Sequence, residues 1–407
     1  MNNQESFIKL QNRGISAVEG FRASGIACGI KKNGKDLAML YTEYDAVAAG
    51  VFTMNLVQAA PVHLCRSHLE NPIRAIVVNS GNANACTGEQ GRQDALEMAE
   101  AVAANLGITA GQVLVCSTGV IGVPMPMERI RDGIGTAVSA LATGPQADTS
   151  AAEAILTTDT GIKQVAYRCS SPDGDFHLAG IAKGSGMICP NMATMLAFLA
   201  TDAKIERSLL QSLLQEAVDN SFNLITIDGD TSTNDTALVL ANGAAKGVEI
   251  VAGTPAFEQF KTLLQRVCQE LACRIVGDGE GVTKVITLTI NGAPDRPSAR
   301  ILARSVLNSL LVKTAFYGED ANWGRIIAAL GYANVDFEPN LVDIYIGSHQ
   351  VASGGGAVPF SEAGVKEVLQ NRDVPVLVDL NYGTTSITAW GTDLSHAYIS
   401  INSNYRS

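Results

Sequence analysis

The sequence predicts an α/β fold that carries a smaller α+β domain at its C-terminal end. Apolar runs bounded by glycine alternate with helical patterns over the first 285 residues, and this alternation is typical of a layered α/β domain. From Lys284 the pattern changes, because the apolar run KVITLTI leads into the turn cluster NGAPDRP, a candidate boundary. We therefore predict a catalytic α/β domain over residues 1–285 and a smaller α+β domain over residues 286–407.

Two strands of the first domain are predicted to end in polar turns that contain glycine. The strand Ala75–Val78 leads into NSGNANACTG, and the strand Val113–Cys116 leads into STGVIG. Helices are predicted after them over Asp94–Leu106 and Met127–Leu141, where apolar residues recur at helical spacing. Backbone N–H groups at such strand ends can point at a ligand, so both turns are candidate walls of a site.

The same periodicities predict the remaining elements. In the first domain, helices are expected over Glu206–Val218 and Ala256–Ala272, with a strand at Ala237–Leu240 between them. In the second domain, helices are expected from Ser298 to about Val312 and near Ser361–Gln370. Its strands are expected at Val342–Ile346, Val376–Leu380, Ser386–Ala389 and Ala397–Ile401.

Composition limits the kinds of partner that the protein can have. The 407 residues are 46% hydrophobic and 17% charged, which is typical of a compact globular protein of two or three domains. A net charge of −11 argues against a general affinity for nucleic acid or anionic lipid. No apolar stretch approaches the ~20 residues of a membrane span, and MNNQESFIKL lacks the pattern of a signal peptide. We expect a cytoplasmic protein.

Several familiar kinds of site are not expected. None of the eight cysteines forms a CxxC pair, so we predict reduced thiols and no metal site. The segment DGDTSTND, Asp228 to Asp235, resembles a cation loop but lacks the glycine and terminal glutamate of an EF-hand. The histidines lie outside any GxSxG or HExxH setting, which argues against a Ser–His–Asp hydrolase. Cys189 precedes a proline in an apolar stretch, which favours a structural thiol.

The segment AKGSGMICPNMATML suggests a chain that cuts itself. A hydroxyl residue that follows a small-residue turn can attack the preceding carbonyl, here Thr194 on Ala193, and hydrolysis of the ester leaves Thr194 as a new N-terminus. The freed amine, with a reference pKa of about 7.7–8.0, can then act as the base for its own hydroxyl. The alternative is a glycine loop that leads into a buried element, and for an isolated motif this alternative is the commoner one.

Four further sites have both a functional and an ordinary interpretation. Thr118 and Gly119 could form an oxyanion hole from a hydroxyl and a backbone N–H, or an ordinary glycine turn. Lys183 could bind a carboxylate or be solvated. Glu280 lies in the loop GDGEG, which we expect to be flexible, and it could pair with a substrate ammonium. This loop is neither a Walker A nor a dinucleotide motif. The segment TTDT, 157–160, is a capping pattern or a polar pocket wall.

Taken together, these segments resemble the glutamate N-acetyltransferase/ornithine acetyltransferase family of arginine biosynthesis. The matching motifs are NSGNANACTG, STGVIG, TTDT, AKGSGMICPNMATML, DGDTSTND, GDGEG, FYGEDANWGRI and NSNYRS, and the N-terminal GFRASGIACGIK also fits. The resemblance covers essentially the whole chain. Because several motifs occur in the right order, it outweighs the ordinary interpretation of each one.

The resemblance implies a set of roles. The chain would be cut between Ala193 and Thr194 into an α chain of residues 1–193 and a β chain of 194–407, assembled as an α2β2 heterotetramer. Thr194 would be the nucleophile, and Thr118 and Gly119 would stabilise the oxyanion. The implied substrate-binding residues are Thr157, Lys183, Thr194, Glu280, Asn402 and Ser407, with Thr160 as the rival of Thr157.

The implied reaction is a ping-pong transfer of an acetyl group from N2-acetylornithine to glutamate without a cofactor. Some members also use acetyl-CoA as the donor, and no residue pattern decides whether this chain does. One alternative is a self-processed aminopeptidase or amidase of the same fold, which passes the acyl group to water. The other is an uncut binding protein in which the segment before Thr194 is only a turn.

Overall fold

The protein is built from two large sheets and the helices that cover them. The computed structural model describes residues 7–171, 174–189, 195–245 and 249–404. Its strands are β1 (Phe7–Lys9), β2 (Phe21–Ile26), β3 (Leu37–Phe52), β4 (Ile73–Asn82), β5 (Val113–Val120), β6 (Lys163–Ser171), β7 (Gly174–Lys183), β8 (Leu196–Thr201), β9 (Lys204–Ile205), β10 (Thr236–Ala241), β11 (Glu249–Ile250), β12 (Val285–Ala293), β13 (Asp343–Ile346), β14 (His349–Ser353), β15 (Gly356–Ala357), β16 (Asp373–Asp379) and β17 (Thr385–Thr392).

The helices lie between these strands in the chain and confirm the predicted α/β class. They are α1 (Ala60–His68), α2 (Gly88–Leu106), α3 (Met127–Ser139), α4 (Pro145–Ala154), α5 (Arg207–Asp219), α6 (Pro255–Gly277), α7 (Arg296–Asn308), α8 (Leu310–Tyr317), α9 (Trp323–Gly331), α10 (Glu362–Gln370) and α11 (His396–Asn404). The predicted helices and strands of residues 75–272 are all present, with ends that differ by a few residues.

The first sheet folds back on itself through its longest strand, β3. It has nine strands in the order β1-β6-β7-β8-β10-β3-β4-β5, with β2 also paired to β3. The first half of β3 pairs with β2 and β4, whereas its second half pairs with β10. One buried cluster contains Leu40 and Ile76 from the first half and Phe198 and Leu238 from the other. The two halves therefore pack face to face.

Helices cover both outer faces of this folded sheet. On one side, Leu199 and Val239 pack in a cluster with residues of α5 and α6, such as Leu214 and Leu264. On the other side, residues of β4 and β5 pack with α2 and α3. The result is a four-layer arrangement of helix, sheet, sheet and helix. Strand ends from both halves meet at one edge of the inner interface.

The six-stranded sheet is formed by the C-terminal part of the chain. Its order is β15-β14-β13-β16-β12-β17, and its first strand begins at Val285. The two parts are also joined by hydrogen bonds, such as that from Thr226 N to Trp390 O at 2.9 Å. The division into domains of residues 1–285 and 286–407 therefore stays a prediction.

Two predictions for the second domain are wrong. Residues Ala397–Ile401, predicted as a strand, belong to the helix α11, and the hydroxyl of Ser395 accepts a hydrogen bond from Tyr398 N at its start. The single helix predicted from Ser298 to about Val312 is divided into α7 and α8. Ser309 has an extended backbone there, and its side chain caps the second helix through Val312 N, as serine does at helix starts.

Within the described part of the chain, none of the helices combines the length and apolar character that crossing a bilayer would need.

Candidate active site

A cavity of about 230 Å³ lies where strand ends from both halves of the first sheet meet loops and α11. Its lining comes from distant parts of the sequence: Thr118, Gly119, Ile121, Thr157, Thr158, Lys183, Gly186, Met187, Met195, Leu196, Asp228, Asp230, Ser232, Thr233, Asn234, Asp235, Glu280, Tyr398 and Asn402. We refer to this space as the site cavity. It brings together every sequence-predicted site residue that the structure describes.

The turn at the end of β5 places Thr118 and Gly119 in the wall of the site cavity. Gly119 pairs with Gly81 on the parallel strand β4. It has a φ of +133°, and a Cβ there would overlap the backbone of Gly81. Only glycine fits this close approach. The arrangement leaves a buried hydroxyl and a neighbouring backbone N–H at one strand end, as an oxyanion hole requires.

Asn234 holds this turn in position, although sequence reasoning missed it. Its side-chain amide donates to Ala83 O at 2.5 Å and to Ser117 O at 2.8 Å. These carbonyls follow β4 and lie within β5, so one buried amide ties together the two parallel strand ends. The signal for it was the polar run DGDTSTND, which stands directly before a buried strand.

Lys183, the last residue of β7, also lines the site cavity. Its Nζ lies 3.4 Å from the hydroxyl of Thr157. Burial lowers the pKa of Lys183, and the nearby carboxylates Asp159 and Asp235 oppose that shift. The hydroxyl of Thr160 donates instead to Asp278. Of the two rival threonines, the geometry therefore favours Thr157 as the residue that faces a ligand.

A buried ion network supports this wall from behind. The ammonium of Lys163, only 2% exposed, lies 2.6 Å from both Asp159 and Asp278. Asp159 also accepts hydrogen bonds from Gly184 N at 2.7 Å and Thr157 N at 3.0 Å. Burial alone would raise the pKa of Asp159, but Lys163, Lys183 and the hydrogen bond from Thr157 N lower it. The network fixes the backbone on both sides of the Lys183–Thr157 contact.

Glu280 is held rigidly, which corrects the expectation of a flexible loop. It is 8% exposed, and its backbone N–H donates to Ser185 O at 3.0 Å. Gly186 makes room for its carboxylate, because a Cβ at Gly186 would lie 2.5 Å from the carboxyl carbon. Asn402 of α11 donates to Glu280 Oε2 at 2.7 Å. The site cavity therefore presents a fixed carboxylate.

Asp228 anchors the chain that leads into the predicted cleavage segment. Its carboxylate accepts hydrogen bonds from Met187 N at 2.6 Å and Ile188 N at 2.8 Å, and from the hydroxyl of Tyr398 at 3.3 Å. Burial raises the pKa of Asp228. Burial and the charges of Asp228 and Glu280 raise the pKa of Tyr398. Both groups were missed from the sequence, because their contact joins elements 170 residues apart.

Three predicted site residues lie outside the described residues: Ala193, Thr194 and Ser407. Met195, which follows Thr194 in the chain, is described, is buried and lines the site cavity. Its carbonyl accepts a hydrogen bond from Thr236 N at 3.0 Å. Among the described residues, no group of three or more His, Cys, Asp and Glu side chains could hold a metal ion.

Comparison with known families covers nearly the whole chain. A sequence model described as the ArgJ family matches residues 22–407. The chain belongs to the ArgJ family. This membership confirms the resemblance that the motifs indicated, and with it the assignment to arginine biosynthesis.

Relatives in the ArgJ family are similar over almost their full length. The arginine biosynthesis bifunctional protein ArgJ of Symbiobacterium thermophilum is 49% identical over 398 residues, which cover 97% of this chain and 98% of that protein. The protein of the same name from Thermotoga neapolitana is 48% identical over 395 residues, or 95% of this chain and 99% of that protein.

Solved ArgJ-type structures match about half of this chain. The ornithine acetyltransferase of Mycobacterium tuberculosis, solved with ornithine, is 43% identical and covers 46% of this chain and 100% of its own, with a TM-score of 0.43. The ArgJ structure from Bacillus halodurans is 40% identical and covers 46% of this chain and 98% of its own, with a TM-score of 0.44.

Proposed function

We propose that this ArgJ family member cuts its chain between Ala193 and Thr194 and then uses Thr194 to carry an acetyl group from N2-acetylornithine to glutamate. The protein is an acyltransferase of arginine biosynthesis. The observation that carries the proposal is the site cavity beside Met195, the residue after Thr194. That cavity gathers the Thr118–Gly119 turn, a lysine ammonium and a fixed carboxylate.

In the first half-reaction, the hydroxyl oxygen of Thr194 attacks the acetyl carbonyl carbon of N2-acetylornithine, and its proton passes to the α-amino group of the same residue. The carbonyl oxygen becomes an oxyanion, which the hydroxyl of Thr118 and the N–H of Gly119 stabilise as donors. The carbon–nitrogen bond then breaks, and the amine gives the proton to the leaving nitrogen. Ornithine departs and an acetyl-threonine ester is left.

Glutamate completes the cycle in the second half-reaction. Its α-amino nitrogen attacks the ester carbonyl, and the same two donors stabilise the new oxyanion. The bond to the threonine oxygen breaks, a proton returns to that oxygen through the α-amino group, and N-acetylglutamate leaves. Because the threonine itself carries the acetyl group, the cycle needs no cofactor.

Two opposite charges of the site cavity match the two substrates. Both amino acids carry an α-carboxylate, which the Lys183 ammonium attracts, with the Thr157 hydroxyl beside it. Glu280 supplies the negative charge for the side-chain ammonium of ornithine. Asn402 orients Glu280, and Ser407 completes the proposed substrate-binding set.

We also propose a second acetyl donor, an assembly state and a cellular location for the enzyme. Acetyl-CoA is proposed as a second acetyl donor, because the relatives carry the name bifunctional protein. The two cleaved chains are proposed to assemble as an α2β2 heterotetramer that works in the cytoplasm. The net charge of −11 is in keeping with small-molecule partners and with no nucleic-acid or membrane partner.

Cleavage is tested by a denaturing gel and N-terminal sequencing of the purified protein. We expect two fragments, one of which begins with Thr194, in place of a single 42.7 kDa band. Thr194→Ala should leave one band and abolish transfer. Thr201→Ala is the matched control, because Thr201 is a buried threonine at the far end of β8 that donates to His177 O. A cut and active Thr194→Ala protein would refute the proposal.

The acyl acceptor is tested by an assay of N2-acetylornithine with and without glutamate. With glutamate present, the proposed transferase turns over steadily. Without glutamate, it takes up one acetyl group per site and then stops. The competing aminopeptidase or amidase would release ornithine at the same rate in both assays, because water is its acceptor.

A further inference from the structure

A basic pocket on the surface of α7 has no part in the proposed catalytic cycle. It has a volume of about 380 Å³, and its lining consists of Asp219, Arg296, Pro297, Arg300, Ile301 and Arg304. We refer to Arg296, Arg300 and Arg304 as the arginine stripe. They follow one another at intervals of four residues, so they lie along one face of the helix. Three guanidinium groups thus share the pocket with one carboxylate among the described residues of its lining.

The sequence around the arginine stripe is basic, although the protein is acidic overall. The chain has a net charge of −11, yet residues 296–318 contain no Asp or Glu. Asp295, directly before the stripe, caps the start of α7 by accepting a hydrogen bond from Ser298 N at 2.8 Å. The excess of positive charge is therefore a property of this helix and not of the protein surface in general, and it favours an anionic ligand.

Arg300 is paired only loosely with the carboxylate of the pocket. Its Nη1 lies 3.7 Å from Asp219 Oδ1, which is longer than a hydrogen bond. The carboxylate of Asp219 accepts hydrogen bonds from the side chains of Gln215 at 3.0 Å and Asn223 at 2.7 Å. Burial and the charges of the other two stripe residues lower the pKa of Arg300, and Asp219 opposes that shift. Since a guanidinium has five N–H donors, Arg300 keeps donors for a second anion.

Phosphate is the anion that this arrangement fits best. Guanidinium groups bind phosphate oxygens through paired N–H donors, and three of them in a row match a ligand that has more than one phosphate. The volume of the pocket suits a small molecule. Ile301, 47% exposed, provides an apolar surface beside the charges, and a flat aromatic ring can also stack on a guanidinium plane. Together these features indicate a nucleotide and not a free phosphate ion.

The C-terminal end of α7 contacts the wall of the site cavity. Asn308, the last residue of the helix, accepts a hydrogen bond from the Thr226 hydroxyl at 2.6 Å. Its side chain also lies 3.6 Å from the position that a Cβ of Gly229 would occupy. Gly229 stands between Asp228 and Asp230, which both line the site cavity. The arginine stripe therefore begins about one helical turn from this wall and extends away from it.

The helix sets the distance between the stripe and the site cavity. At a rise of about 1.5 Å per residue, Arg304, Arg300 and Arg296 lie about 6, 12 and 18 Å from Asn308 along the helix axis. The pantetheine arm of CoA is about as long as four extended residues, roughly 14 Å. An acetyl-CoA molecule whose acetyl end enters the site cavity can therefore place its phosphates over the stripe.

We propose that Arg296, Arg300 and Arg304 bind the phosphate groups of acetyl-CoA while its acetyl end occupies the site cavity. This inference rests on the proposed function, in which acetyl-CoA is the second acetyl donor. N2-acetylornithine has no phosphate group, so the stripe acts on one donor and not on the other. Loss of the stripe should therefore separate the two donor activities.

The binding test is isothermal titration calorimetry of the purified protein with CoA, which has no acetyl group to transfer. We expect the parent protein to bind CoA much more tightly than inorganic phosphate, and to bind it more weakly as the salt concentration rises. Arg300→Ser and Arg304→Ser should each weaken CoA binding about tenfold or more, because each removes charge-assisted hydrogen bonds. Arg92→Ser is the matched control and should bind CoA as the parent does. Arg92 is an exposed arginine of α2 that pairs with Glu89 at 2.8 Å.

Kinetics with each acetyl donor in turn test the selectivity. In Arg300→Ser, the KM for acetyl-CoA should rise about tenfold or more, whereas the KM for N2-acetylornithine should equal that of the parent. Arg300→Lys keeps the charge but not the paired donors, so its KM for acetyl-CoA should lie between the two. If the serine variants fail to fold, the parent protein carries the test. S-acetylpantetheine lacks the phosphates, and its KM should exceed that of acetyl-CoA about tenfold or more.

Four results would overturn the assignment. The first is a parent protein that binds no CoA, or that binds inorganic phosphate as tightly as CoA. The second is a parent protein that forms no N-acetylglutamate from acetyl-CoA. The third is an unchanged KM for acetyl-CoA in the serine variants, or an equal KM for S-acetylpantetheine in the parent. The fourth is an equal loss of both donor activities. Self-cleavage and transfer from N2-acetylornithine need no acetyl-CoA, so the proposed function is judged separately by these two measurements.

Discussion

Asn402 donates a 2.7 Å hydrogen bond from its side-chain amide to Oε2 of Glu280. This bond joins α11, the last described helix, to the loop that follows α6. Glu280 is buried whereas Asn402 is exposed, so the C-terminal helix covers the carboxylate from the solvent side. The helix α11 is therefore part of the wall of the site cavity.

Loss of this bond should weaken the binding of N2-acetylornithine. In Asn402→Ala, the carboxylate of Glu280 loses a charge-assisted hydrogen bond, which is typically worth about 1.5–3 kcal/mol. We expect the KM for N2-acetylornithine to rise roughly tenfold to a hundredfold, with self-cleavage unchanged. Asn404→Ala is the control, because Asn404 lies on the same helix and its side-chain amide donates to Ser400 O. Equal kinetics in the two variants would contradict the role of Asn402.

Deletion of residues 402–407 extends the same test to Ser407. We expect transfer to be abolished while the fold and the cleavage stay intact, since none of the described residues of α11 is buried. Circular dichroism and a denaturing gel check the fold and the cleavage. A truncated protein with full activity would remove both residues from the site.

The charge of Glu280 should matter for one substrate more than for the other. Glu280→Gln keeps an oxygen that can accept from Asn402 but removes the negative charge. The KM for N2-acetylornithine, whose side chain is an ammonium, should therefore rise far more than the KM for glutamate. Steady-state kinetics with each substrate varied in turn provide the measurement. A similar rise for both substrates would argue against pairing with the ammonium.

The sequence was informative wherever a local backbone requirement shaped the site. Gly119 is needed because its Cβ would overlap β4, and Gly186 is needed because Glu280 packs against it. Both glycines lie in short motifs beside a chemically useful residue, so a reader of the sequence could find them. Thr118 and Lys183 were found for the same reason, as they stand next to such turns.

Long-range pairings could not be predicted in the same way. Asn234 matters because it stands just before β10, which pairs with β8, and because its amide reaches Ser117 of β5. No local pattern fixes that neighbourhood. The segment Ala397–Ile401 alternates apolar and polar residues, which is typical of a strand. No strand pairs with it among the described residues, and the cap at Ser395 starts a helix there.

Gly119→Ala should damage both stability and the oxyanion hole. The residue has a φ of +133°, a conformation that costs a side-chain-bearing residue about 1–3 kcal/mol, and the overlap with Gly81 adds to that cost. Displacement of the Gly119 N–H should also lower kcat about 10²–10³-fold, as the loss of one oxyanion donor does. Denaturant unfolding and kcat are the two measurements.

Gly122→Ala tests the cost of a positive φ alone, without the overlap between a Cβ and a neighbouring strand that occurs at Gly119. Gly122 has a φ of +79°, but a Cβ there would meet no atom within 4 Å. We expect a loss of about 1–2 kcal/mol from the left-handed backbone and nearly unchanged kcat. If both alanine variants lose activity to the same extent, the close approach of Gly119 to β4 is not what shapes the oxyanion hole.

The buried Lys163 network should set the acid stability of the protein. Asp159 has a pKa below its usual value in the folded state. Its ion pairs therefore stabilise the folded protein fully at pH values above the unfolded pKa of about 3.9. This stability is lost as the pH falls through the folded pKa. We expect Lys163→Met to cost about 3–5 kcal/mol at pH 7, because it leaves buried carboxylates without their cation. The difference from the parent protein should shrink below about pH 4, as those carboxylates become protonated. Urea unfolding at pH 7, 5 and 3.5 measures this difference, and a gap that stays constant over the three pH values would show that Lys163 stabilises the protein by packing alone.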